Sequence, residues 1–568
     1  MRWIAVVAGY LAFVTWLTWP LWSLSATYLP CTNSSCGFDT LYSAWVLAYE
    51  SHALATAPLR ITDGNIFFPD RHAVLYGPAG FGALPYFAPA YALSGNPAVA
   101  LAVLIIVCAA LTAAALHVVV QHWTGRHAAG AVAALAFLTN RWVLWGFVAS
   151  APHLMPLQYF PFIVLLAAGR LETRAHWWRL LGLVSLQCLT DPVYVALAVL
   201  LPLGALALLR CARRETRRAG LWLALLLVAA LLPLSPVFAG YAIVRRANPN
   251  LAKQTLWPRG LPIDLTDLFS MGGFPTTVAP AALAVIVIGG ICALVRWRRK
   301  ANVDATLERP ASQAWAHALL WAVVGTAISL GPRTTWNGRL VPTPQALIDR
   351  LTPLYDVIRA PDRLGVAGLM GLCLMAGLGY GEIARRAEAW GKAGRALQIV
   401  LAVGTLALVY RVPPVGEGRL PAAYPLQAVP AAPAAFQAVL SRGDEPILYL
   451  PAIAMHGHWL FPSTNAQAMF QSIGNWRPVL NGYSSYWPED FVARMRITKA
   501  LPARAALEEL VKQTDVGLVS VQLAGIAPEQ REQWLDVRAL QRTGLVLVAR
   551  AGPQLLFAVH VRAAATAR

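Results

Sequence analysis

Apolar runs of roughly 20 residues, the length that carries a helix across a bilayer, recur along the chain and constrain it more than any other feature. The purest is "AVALAVLIIVCAALTAAALHVVV", Ala98 to Val120. Eleven spans are expected, at about 4–24, 98–120, 127–140, 155–169, 180–190, 192–209, 219–240, 278–295, 314–331, 363–383 and 397–411. Charged residues make up only 13% of the chain, against about a quarter of a soluble domain. The class is therefore a polytopic α-helical membrane protein. A net charge of +19 would suggest nucleic acid as a partner of a soluble protein, but here topology accounts for it and no nucleic acid is expected. The third to sixth spans are short, and the fifth and sixth read as a hairpin turning at Asp191-Pro192. Such irregularity is usual where helices line a water-filled cavity.

Basic residues cluster in short segments between spans: Arg170, Arg174 and Arg179, then "RCARRETRR" from Arg210, then "RWRRK" from Arg296, then Arg385, Arg386, Lys392 and Arg395. The positive-inside rule puts these segments and the N-terminus in the cytoplasm. The long first loop, 25–97, and the C-terminal region then lie outside. "MRWIAVVAGYLAFVTWLTWPLW" has no small-residue cleavage site and is read as a retained span rather than a signal peptide.

Periodicity changes after residue 411. Residues 412–435 are a Pro/Ala-rich linker. In 436–568, "PILYLPA", "DVGLVSVQL", "GLVLVAR" and "QLLFAVHV" read as strands, and "ARAALEELVKQT" and "PEQREQWLDVRALQRT" as helices. The expected organisation is a transmembrane domain over 1–411 and an extracytoplasmic α/β domain. Cys31 and Cys36 lie in the outer loop, where an oxidising compartment would let them pair or leave them as thiols. The other five cysteines lie in or beside spans, and no metal-binding spacing of Cys or His is present.

The first loop carries the richest chemistry. In "DTLYSAWVLAYESHAL", Leu41, Trp45, Ala48, Tyr49 and His52 share one helical face, as in an amphipathic helix lying in the membrane interface. Asp39 stands where that helix starts, either as its N-cap or as a proton acceptor. "ITDGNIFFPDRHAVLYGP" adds Asp63 and Asp70 as further acidic candidates, lining a cavity or solvating a loop.

"FDTLYSAWVLAYESHAL", "NIFFPDRHAVLYG" and "ALPYFAPAYALSGNPAVA" resemble the first loop of the GT-C superfamily of integral-membrane glycosyltransferases, and of the bacterial GT-C-like membrane proteins in particular. "NRWVLWGFVASAPHLMPLQYFP", "PLYDVIRAPDRLGVAGLMGLCLMAGLGYG" and "RPVLNGYSSYWPEDF" extend the resemblance, in order, over the chain. It implies an inverting transferase of the bacterial inner membrane. The donor would be a polyprenyl-phosphate-linked sugar, and the acceptor a glycan, lipid or protein. It also implies that an acidic residue of the first loop is the general base, a role that carries over to Asp39 alone. Related proteins often hold a second carboxylate where this chain reads "LYGPAG", with Gly77 and Pro78. That departure speaks against a divalent metal, and no cofactor is expected beyond the donor. It also keeps open a non-catalytic scaffold, or a factor that binds or flips lipid-linked saccharides.

A departing polyprenyl phosphate needs positive charge. Arg141, Arg359 and Arg363 are the outer-face candidates, with His153 of "SAPHLMP" beside them. The competing reading for the arginines is snorkelling to headgroups or pairing with Asp356 or Asp362. Trp476, Tyr483 and Trp487 suit sugar faces, or plain aromatic packing.

Overall fold

A computed structural model describes residues 2–169, 171, 173–251, 263–268, 274–300, 309–343, 345–346, 350, 358, 360–394, 396, 398–401, 423–452 and 462–561. Most of the expected span at 397–411 and residues 412–422 of the linker lie outside these residues. The chain forms two compact units. One comprises Met1–Asn33, Gly80–Val237 and Trp257–Leu426, and the other Ser34–Ala79, Phe238–Leu256 and Gln427–Arg568.

The first unit is helical. Among the described residues four helices are long and apolar enough to cross a membrane: Pro97–Thr124, Tyr194–Cys211, Pro280–Arg298 and Pro361–Glu388. The number rises to six if each of two bent pairs counts as one span. One pair, His127–Leu138 with Arg141–Ser150, bends by 47°. Asn140 lies in the break, its side chain accepting from the Trp142 amide and donating to the carbonyls of Pro275 and Thr277. The other, Arg214–Ala230 with Ser235–Ala247, bends by 55° at "LLPLSP", where proline removes helical hydrogen bonds. The expected span at 4–24 is likewise a helix over Arg2–Leu17 that stops before Pro20.

Local sequence sets the ends and contacts of these helices. Asn96 caps Pro97–Thr124 by accepting from the amides of Ala98 and Val99, and Gly125, at φ 71°, ends it. Small residues let three helices approach: a Cβ on Gly289 would collide with Gly379, and one on Gly325 with Gly368. Glycine at such crossings replaces side-chain bulk with close backbone packing. Some of the basic residues at the helix ends are paired. Arg126 grips Glu388 with two bonds of 2.6 and 2.8 Å, and Glu382 holds Arg296 at 2.8 Å.

The second unit carries a four-stranded sheet. Its strands are β1 (Ile447–Leu450), β2 (Leu518–Gln522), β3 (Leu545–Ala551) and β4 (Gln554–Val559), in the order β1-β2-β4-β3. β1 and β2 are parallel; β4 is antiparallel to both β2 and β3. β1 is buried at every position, whereas edge strand β3 alternates, the difference between a strand covered on two faces and one that meets solvent. Phe436, Leu440, Ile447, Tyr449, Leu518 and Leu556 form the core. The helix expected over "PEQREQWLDVRALQRT" is two helices, Pro528–Leu535 and Val537–Thr543, parted at Asp536, whose carboxylate accepts from the Ala539 amide.

The first loop does not stay with the helical unit as one piece, as the sequence suggested. Residues 34–79 and 238–251 pack in the sheet-bearing unit. Backbone bonds explain the attachment: Phe67 N donates to Asn481 O, Phe68 N to Val479 O, and Val479 N to Asn65 O.

Candidate active site

In the sheet-bearing unit the first-loop helix runs from Cys36 to Thr56. The residue at its N-cap position is Ser35, so Asp39 is not the cap; it sits in the first turn, its amide donating to Ser35 O at 2.8 Å. A carboxylate there is favoured by the helix dipole. The helix is also no interfacial stripe. Every residue from Thr40 to Glu50 is buried, because small residues such as Ser43, Ala44 and Ala48 let neighbours close over the sides that an interfacial helix would show to water.

Asp39 itself is half-buried, and Oδ1 accepts a 2.7 Å hydrogen bond from the Tyr483 hydroxyl. The Tyr483 ring is set edge-on against Phe38 at 5.2 Å and Tyr42 at 6.3 Å. Its amide bonds Met469 Sδ at 3.0 Å. Among the described residues nothing donates to Asp39 Oδ2. The site thus offers one oriented, reachable carboxylate. A second has no room at Gly77: a Cβ there would collide with the Tyr42 hydroxyl and Ser484 Oγ.

The other acidic candidates are not gathered around Asp39. Asp70 accepts from Arg494 at 3.0 Å, and the same guanidinium group donates to Phe68 O at 3.1 Å. Burial raises the Asp70 pKa, with Arg494 working against it. Asp63 lies 3.6 Å from His72 Nδ1. No group of three or more His, Cys, Asp or Glu able to hold a metal occurs among the described residues.

Of the aromatic candidates, Trp476, at φ 54°, stacks one face on His52 at 4.8 Å and meets Tyr49 edge-on at 5.7 Å. Tyr49 stacks in turn on Trp45 at 5.8 Å. This ladder takes up one face of Trp476, and burial lowers the His52 pKa. Trp487 is half-buried. Asn481 bridges the Tyr449 amide and carbonyl at 2.7 and 2.9 Å and also reaches Asn465, so it is a structural clamp.

In the helical unit the positive centre is Arg363. Its guanidinium group lies 4.1 Å from the Phe147 ring centroid and 5.1 Å from that of Tyr194, a cation–π sandwich. His153 is buried, and burial followed by the charge of Arg363 pushes its pKa down to about 3. Both effects favour the neutral imidazole. Asp191 is 1% exposed and accepts from the amides of Val193 and Tyr194 at 2.8 and 2.6 Å, capping the helix that begins at Tyr194. Burial raises its pKa despite those bonds and Arg363. Arg141 opens the short helix Arg141–Leu144 and is half-buried. Arg359 lies outside the described residues. Asp191, Phe147 and Tyr194 were not among the candidates from sequence; the Asp-Pro turn between two short apolar runs was the available signal. Cys31 and Cys36 are disulfide-bonded, and Cys108, Cys188, Cys211, Cys292 and Cys373 are unpaired.

No protein-family model and no curated protein matches the sequence. Solved structures do. ArnT from Cupriavidus metallidurans in the apo state is 14% identical and covers 97% of this chain and 98% of its own, with a TM-score of 0.47. The archaeal oligosaccharyltransferase AglB from Archaeoglobus fulgidus, solved with an inhibitory peptide and a dolichol-phosphate, is 10% identical over 91% of this chain and 69% of its own, with a TM-score of 0.49. The mycobacterial arabinofuranosyltransferase AftD is 15% identical over 99% of this chain, which spans 42% of AftD, with a TM-score of 0.52. At such identities the likeness concerns the fold, and the AftD match carries it. The chain shares its fold with this AftD structure.

Proposed function

We propose that the protein transfers a sugar from a polyprenyl-phosphate carrier to an acceptor hydroxyl at the outer face of a bacterial inner membrane. The N-terminus would be cytoplasmic and the sheet-bearing unit periplasmic. The observation that carries the reading is Asp39: a half-buried carboxylate in the first turn of the first-loop helix, with one oxygen held by Tyr483. The fold likeness supports the same class of chemistry.

In the step, the acceptor oxygen bonds to the anomeric carbon while the bond from that carbon to the phosphate oxygen breaks. The hydroxyl proton passes to Asp39. Polyprenyl phosphate leaves as an anion. Displacement from the far side inverts the anomeric centre. Tyr483 turns the carboxylate and so is a positioning residue. The acceptor is a glycan, a lipid or a protein side chain; arabinofuranose is the first donor sugar to test, given the AftD likeness.

The experiment is turnover of the purified full chain in nanodiscs with a panel of polyprenyl-phosphate monosaccharides and a membrane glycan extract. Release of polyprenyl phosphate that depends on the extract supports the proposal. Specific binding of the donors without turnover under any acceptor fraction would instead make the chain a carrier-binding factor. A reporter that is active only outside the cytosol, fused after residue 561, tests the orientation and should be active.

A further inference from the structure

A second site with its own chemistry lies in the helical unit, where helices Arg174–Cys188 and Arg217–Ala230 pack together. A groove of about 510 Å³ opens between them, within the roughly 300–1,000 Å³ of small-ligand sites. Arg174 and Arg218 stand in it with Trp177, Trp178, Trp222 and Leu225. Trp177 braces the wall, its indole N–H donating to Trp222 O at 3.1 Å. Trp178 is 63% exposed, Trp222 43% and Leu225 50%. Both arginines are exposed, and neither has a hydrogen bond or ion pair among the described residues.

The lining sorts by polarity. Two guanidinium groups with no described carboxylate against them attract an anion, and the sequence before Arg218 adds Arg213, Arg214 and Arg217 against Glu215. Indole rings suit the level of lipid headgroups, and the exposed Leu225 continues the wall as a hydrocarbon surface. A soluble anion would use the arginines and leave the indoles and leucine in water. A zwitterionic lipid would bring its own cation against them. The basic runs put this end of both helices on the cytoplasmic side.

We infer that this groove binds one anionic glycerophospholipid, with its phosphate on Arg174 and Arg218 and an acyl chain along Trp222 and Leu225. The site owes nothing to sugar transfer and stands whether or not the protein is an enzyme. Each juxtamembrane arginine is expected to contribute about fivefold to affinity for an anionic lipid. The planar guanidinium fork suits a phosphate diester.

The test is native mass spectrometry of the full-length protein titrated with phosphatidylglycerol or phosphatidylcholine. The protein should retain a resolved phosphatidylglycerol adduct and hold phosphatidylcholine more weakly. Arg174→Gln and Arg218→Gln should each weaken the adduct about fivefold, and the double variant on the order of 25-fold. Arg385→Gln, on a different helix and outside the groove lining, should leave it within about twofold. Both arginines are exposed, so thermal unfolding of the variants should match wild type and separate lost binding from lost fold. Equal retention of phosphatidylglycerol by a folded double variant would overturn the inference. So would equal binding of phosphatidylcholine, or displacement of the adduct by equimolar polyprenyl phosphate.

Discussion

Two carboxylates near helix starts, Asp39 and Asp191, meet opposite fates. Asp191 in the helical unit is buried, caps its helix through two amides and feels the field of Arg363. Asp39 in the sheet-bearing unit caps nothing, is half-buried and takes one side-chain bond, from Tyr483. Helix capping consumes the hydrogen-bonding capacity of a carboxylate. A group meant to accept a proton must keep some of it. Asp191 therefore serves the structure, and on the proposed reading Asp39 is the acid left for chemistry; the sequence offered Asp39 as a cap or a base and Asp191 only as a turn.

Substitutions can break or sharpen this contrast. The largest effect is expected at Arg363, the cation beside the structural acid. Arg363→Ala should weaken binding of polyprenyl phosphate on the order of a hundredfold, the upper end of losing a hydrogen bond between charged groups. Lys should rescue part of the affinity, because it restores charge without the fork. Unchanged polyprenyl-phosphate binding by the Ala variant would assign Arg363 to packing against Phe147 and Tyr194. Next comes Asp191→Ala, which removes a cap worth about 0.5–2 kcal/mol and leaves two part-buried amides without their side-chain acceptor. A thermal midpoint equal to wild type would remove Asp191 from the structural class.

Tyr483→Phe is a finer test. It deletes the hydroxyl and keeps the ring against Phe38 and Tyr42. A hydrogen bond to a charged group is worth about 1.5–3 kcal/mol, so the thermal midpoint should fall modestly and kcat about tenfold or more while KM for the donor holds. A rise in KM alone would make Tyr483 a sugar contact instead. The smallest effect is expected far from either acid. Glu445 is bonded to the buried Arg477 at 2.9 Å, which holds its pKa below the usual carboxylate range. A depressed acid stabilises the fold above its unfolded pKa and loses that contribution as pH falls through the folded value. Glu445→Gln should therefore show a slightly lower thermal midpoint near neutral pH, with the gap closing in strong acid. A gap independent of pH would mean that the charge plays no part.

Much of the architecture was legible in the sequence. The four strands of the sheet announce themselves as short apolar runs between turn residues, and Asn96-Pro97 and Gly125 frame the most apolar of the candidate spans. What was not legible depended on tertiary closure. Periodicity showed the stripe of Trp45, Tyr49 and His52, but not that the other sides of that helix would be covered as well. Nor could it show that Asn65, Phe67 and Phe68 would be bonded to 477–481, more than 400 residues away in sequence. The cap moved to Ser35 because the turn "SSCG" starts the helix three residues earlier than the first acid. Asp191 was passed over because burial, which gives it its character, is not a local property. Gly77 was read as a departure from a pattern; the structure adds the physical reason, since Tyr42 and Ser484 already fill the space a side chain would need.

The central claim is that Asp39 works through its charge and not through the helix it helps to start. Asp39→Asn tests this directly, because Asn keeps the size and a hydrogen-bond acceptor for Tyr483 but takes no proton at neutral pH. Turnover of polyprenyl-phosphate sugar and thermal unfolding would be measured on the same preparation. The account predicts an unfolding midpoint close to wild type and transfer reduced on the order of a hundredfold or more. Wild-type turnover by a folded Asp39→Asn protein would contradict it.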